Sequence, residues 1–101
     1  MIRSTSASVR LLFASADPSE NGPLARALRD AGYEVVLVAW LSAEHTAHTA
    51  VAEDAQVIVL AGPIEGLEIA LESLGAADIA IVVAGGQDAR TVTEVRASLT
   101  L

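Results

Sequence analysis

Asp17, Ser19 and Gly22 stand in one short segment, Asp17-Pro18-Ser19-Glu20-Asn21-Gly22. A carboxylate two residues before a hydroxyl can cap a helix, or it can orient a bound group. His45 and His48 are spaced i, i+3, which brings two imidazoles close enough to share a metal, with Glu44 adjacent. The same pair on a polar helix face serves equally as solvated surface. Glu65, Glu68 and Glu72 also have helical spacing. Leu67 and Leu71 take the buried side there, so the acids form a solvated stripe or an acidic docking face. No general base, nucleophile and oxyanion donor can be assembled into one set. The chain is therefore expected not to be an enzyme.

What is missing narrows the chemistry further. The chain has no cysteine, which removes disulfides, thiolate metal sites and cysteine nucleophiles together. All six basic residues are arginines, so Schiff-base chemistry and a phosphate-loop lysine are excluded. Thirteen acids against those six give a formal charge of -7, which disfavours nucleic acid and anionic membrane surfaces. No apolar run is long enough to span a bilayer. The expected location is cytoplasmic.

These residues need elements to position them. Four short β-branched runs, over residues 9–14, 34–40, 56–61 and 78–84, are nearly continuous in hydrophobicity. Continuous runs mark strands buried on both faces, as in parallel sheets. Leu24, Ala27, Leu28 and Ala31 recur at helical spacing before Gly32, and Leu67, Ala70, Leu71 and Leu74 do so before Gly75. A second helix is predicted over 43–52 with Ser42 as N-cap, and a fourth over 89–97 with Ala89, Val92 and Val95 inward. Residues 1–8 read as a loose leader and 9–101 as one domain. Alternating strands and helices predict a doubly wound, three-layer α/β sandwich of the flavodoxin-like kind. Its parallel sheet has four strands in order 2-1-3-4, with residues 96–101 as an optional fifth. Ligands of such sheets bind beyond the carboxyl ends of the strands.

In that frame the segment Asp17-x-Ser19-x-x-Gly22 resembles a family motif. Cobalamin-binding domains of the methylmalonyl-CoA mutase type carry Asp-x-His-x-x-Gly there, with the His as cobalt ligand. Asp30-Ala31-Gly32-Tyr33-Glu34-Val35, Glu53-Asp54-Ala55-Gln56-Val57-Ile58-Val59 and 79–86 extend the likeness over roughly residues 9–90. The resemblance implies a corrin face at Asp17, Ser19 and Gly22. It implies a nucleotide-tail border at Ala61, Gly62, Gly85 and Gly86. Ser19 replaces the ligand, and a neutral hydroxyl is a poor cobalt donor beside imidazole. Ala61-Gly62-Pro63 replaces the family's Ser-x-Leu.

The resemblance thus implies a degenerate, non-catalytic relative acting by protein contacts, with a mutase-type subunit or with itself. No cofactor is expected; the alternative is cobalamin held with its own base on cobalt. A second alternative is a degenerate receiver domain, which has the same fold and size. Working receivers need an Asp after strand three and a Lys after strand five. This chain has Ala61-Gly62-Pro63 and no lysine. A dinucleotide site would want Gly-x-Gly-x-x-Gly after strand one, where residues 15–22 hold one glycine. The apolar tail at 97–101 reads as a strand or packed segment, and a twofold dimer pairing through it is expected.

Overall fold

The computed structural model describes residues 9–15, 22–39, 42–62, 64–84 and 88–99. Strands β1 (Arg10–Ser15), β2 (Glu34–Ala39), β3 (Val57–Leu60) and β4 (Ala80–Val83) alternate with helices α1 (Gly22–Asp30), α2 (Ala43–Ala52), α3 (Leu67–Ser73) and α4 (Asp88–Leu99). The strands form one parallel sheet in the order β2-β1-β3-β4. This is the flavodoxin-like α/β architecture expected from the continuous apolar runs.

Strand alternation divides the core in two. Leu11 and Phe13 point to one face, where Leu24, Ala25 and Leu28 of α1 and Val95 of α4 meet them. Leu12 and Ala14 point to the other, against Ala47 and Ala50 of α2 and Leu67 and Leu71 of α3. Residues 11–14 and 57–60 are buried throughout, because the two central strands are covered on both sides. The core is aliphatic around a single phenylalanine, Phe13, which is fully buried.

The caps are local chemistry. Ser42 Oγ accepts the His45 amide at 3.0 Å and starts α2 as predicted. Gly32 and Gly75 close α1 and α3 in the left-handed region. α2 instead ends through Asp54, a non-glycine residue at φ 56.

One expectation needs correction. Residues 96–99 continue α4 and form no fifth strand. Val92, Val95 and Leu99 lie on one helical stripe against the sheet, and that packing overrides the strand propensity of a Leu- and Thr-containing tail. A dimer pairing through a strand at 97–99 is therefore not available. Among the described residues, β4 pairs only with β3, and Val83 on it is 42% exposed.

Candidate functional site

The carboxyl ends of the four strands bring Ser15, Ala39, Leu60 and Val83 to one edge of the sheet. α1 starts there at Gly22 and α2 just after Ser42. Of the residues expected to line a ligand, Gly22, Ala61 and Gly62 are at this edge. Asp17, Ser19, Gly85 and Gly86 lie outside the described residues.

The edge offers little chemistry among the described residues. Ala61 presents a methyl group and is exposed. Its amide donates to the Ala14 carbonyl at 3.1 Å, and the Ala84 amide donates to the Leu60 carbonyl at 2.7 Å. Both amides thus extend the ladder by one residue and cannot also be turned toward an anion. Ser15 is buried, at 3% exposure, and already has an interaction partner. Ser42 spends its oxygen on capping α2. Gly22 and Gly62 sit at ordinary φ, and a Cβ on either would meet open space. The fold does not require glycine at these two positions.

Several concavities are lined by described residues. One of about 440 Å³ sits at the opposite, amino edge, beside Asp54, Gln56, Asp78 and Ser98. A second, of about 420 Å³, runs between α2 and α3 with Glu44, His48 and Glu65 on its rim. A third, of about 200 Å³, lies beside β4 under Glu68 and Glu72.

The remaining expected residues separate. His45 and His48 are both exposed on α2, and among the described residues no group of three or more His, Asp or Glu could hold a metal. Glu68 and Glu72 are exposed on α3 while Leu67 and Leu71 are buried, as their spacing predicts. Glu65 differs: α3 starts at Leu67, so Glu65 stands in the preceding turn and reaches the rim of the second concavity.

Three features escaped the sequence reading. Arg10 joins β1, β2 and the end of α2 through Glu34 and Glu53. Ile69, on α3, is 70% exposed; its place off the Leu67–Leu71 stripe was a readable sign. Charge is also segregated. No Arg or Lys occurs between Arg29 and Arg90, so the acids of α2, α3 and their loops have only His45 and His48 among them, and Glu53 at the end of α2 is met by Arg10 of β1. No described helix is long and apolar enough to cross a membrane.

No family model matches the chain, and no curated protein matches it. Among solved structures it is similar to that of HP1043, an orphan response regulator of H. pylori. The TM-score is 0.53 at 12% identity, covering 91% of this chain and 97% of that one. At that identity the likeness shows the fold alone, a parallel α/β sandwich.

Proposed function

We propose that the chain is a receiver-like regulatory module that acts by contacting other proteins and does not undergo phosphoryl transfer. The observation that carries this reading is the carboxyl end of β3. Forming an acyl phosphate needs a carboxylate there to attack phosphorus, and a cation to stabilise the charge on the transferring oxygens. Position 61 is an alanine whose amide is held in the sheet ladder. The whole chain has no lysine to serve as the cation. The likeness to a response regulator supports a receiver-type reading over the other uses of this fold. Incubation with acetyl phosphate and Mg²⁺ followed by intact mass measurement tests it. The expected mass is unchanged; a phosphoryl adduct on the folded chain would overturn the reading.

The cobalamin-type reading keeps one specific observation in its favour, the Asp17-x-Ser19-x-x-Gly22 spacing followed by Gly85-Gly86. It leads to the same kind of role, because Ser19 cannot replace imidazole on cobalt and Ala61 supplies no hydroxyl. The partner in that case would be a subunit of a mutase-type enzyme or a second copy. Gel filtration with hydroxocobalamin separates the ligand-binding form of this reading from the interaction form. A colourless protein peak is expected, and a red one would establish a cobalamin module.

A further inference from the structure

The geometry points to the groove between α2 and α3 as a docking site for a basic amphipathic helix of a partner protein. This inference rests on the interaction reading above and names the surface that reading would use.

The groove has a floor of small residues. Ala43 and Gly66 face each other across it, and a Cβ on Gly66 would lie 4.0 Å from the Ala43 Cβ. Ala70 continues the floor, so the two helices leave a shallow channel rather than interlocking side chains. Ile69 and Leu74 stand on its α3 side. Ile69 is the most exposed large apolar side chain among the described residues, at 70%. It belongs to neither core cluster of the described residues. A channel of about 420 Å³ with an apolar floor and a polar rim takes a few side chains of one helical face, spaced i, i+3 and i+4.

Charge selects the occupant. Glu44, His48 and Glu65 line the rim, Glu68 lies next to Ile69 on α3, and no Arg or Lys occurs between residues 30 and 89, so carboxylates outnumber the one imidazole there. The described arginines of the helices, Arg26, Arg29, Arg90 and Arg96, all belong to α1 and α4, on the opposite face of the sheet. A helix with Leu or Ile on one side and Lys or Arg flanking it matches both the channel and its rim. A second copy bringing the same acidic face would be repelled, and so would an anionic lipid surface.

The test uses the isotope-labelled full chain. The probe is a synthetic peptide of about 18 residues, with Leu on one helical face and Lys on the other. A twin peptide carrying Glu for Lys is the control. The expected amide shifts fall within residues 43–48 and 65–74, and the Glu peptide produces none. Ile69→Ser should weaken the peptide about tenfold or more. The double change Glu44→Gln, Glu65→Gln should weaken it as well and flatten its salt dependence. Val83→Ser, on the exposed β4 edge, and Glu94→Gln, on α4, should leave it unchanged. Because Ile69 is exposed, its serine variant should keep its circular dichroism spectrum. Shifts that map to α1, α4 or β4 would overturn the inference, as would binding indifferent to Ile69. Concentration-dependent shifts at 43–48 and 65–74 without peptide would assign the groove to a second copy and overturn it too. Failure of the peptide with an unchanged intact mass after acetyl phosphate removes the groove alone. An adduct removes the interaction reading and leaves the groove to its own result.

Discussion

Arg10 is where three elements are held by one side chain. Its Nε and Nη2 donate to the Glu34 carboxylate at 3.1 and 3.2 Å, and Nη1 donates to the Glu53 carbonyl at the end of α2 at 2.9 Å. The hydrogen bond and charge of Glu34 raise the guanidinium pKa above its ordinary value. A cation raised on folding stabilises at every pH below its ordinary value and stops only as pH rises through the raised one. Arg10 therefore adds no pH dependence of its own near neutrality. Arg10→Gln should lower the thermal midpoint, more at low salt than at high salt, since exposed ion pairs are screened. Asp54 offers the opposite change. It holds φ 56, a conformation that costs side chains with a Cβ and is free for glycine. Asp54→Gly should stabilise the fold by about 0.5–1 kcal/mol in urea titration. Phe13→Ala should cost about 3–5 kcal/mol, because a cavity opens in the fully buried layer between the sheet and helices α1 and α4. Of these residues Phe13 is the one whose burial follows from the sequence, because it sits inside the apolar run 9–14 that marks a strand covered on both faces. Arg10 and Asp54 act through partners 24 and more positions away or through backbone angles, which spacing does not reveal.

At the scale of elements, period and punctuation carried the reading. The bounds of α2 and its Ser42 cap follow from a hydroxyl placed before an alanine-rich run. Ser42→Ala should cost about 1 kcal/mol, measurable by chemical denaturation. Strand starts were set too early, at Gln56 and Asp78, because turn residues next to an apolar run look like its beginning. The end of α4 was missed for a related reason. An uncharged apolar tail with a Thr looks like a strand in isolation, yet Leu99 completes the helical stripe begun by Val92 and Val95. The α2–α3 groove was not legible because it exists only once Gly66 meets Ala43. Gly66 also begins α3 at φ 84, so Gly66→Ala should cost about 1–2 kcal/mol.

Across the whole molecule, the sheet edge that serves ligands in this fold is, in its described part, made of methyl groups, glycines and amides already used by the ladder. The strongest chemical character lies on a side face, where the acids of α2 and α3 outnumber the two histidines and no Arg or Lys stands among them. On the proposed reading, a fold that ordinarily binds ligands at its strand ends here works by presenting a surface. The sequence made the missing groups visible, since an absent lysine and an alanine at position 61 need no coordinates to read. It could not show that the Ala61 and Ala84 amides are occupied. The most direct measurement is the amide correlation spectrum of the isotope-labelled full chain with saturating Mg²⁺ and acetyl phosphate. The resonances of Ser15, Ala61, Gly62 and Ala84 should stay where they are in buffer alone. A second, slowly exchanging set of signals at those four residues would contradict a module that works by protein contact without phosphoryl transfer.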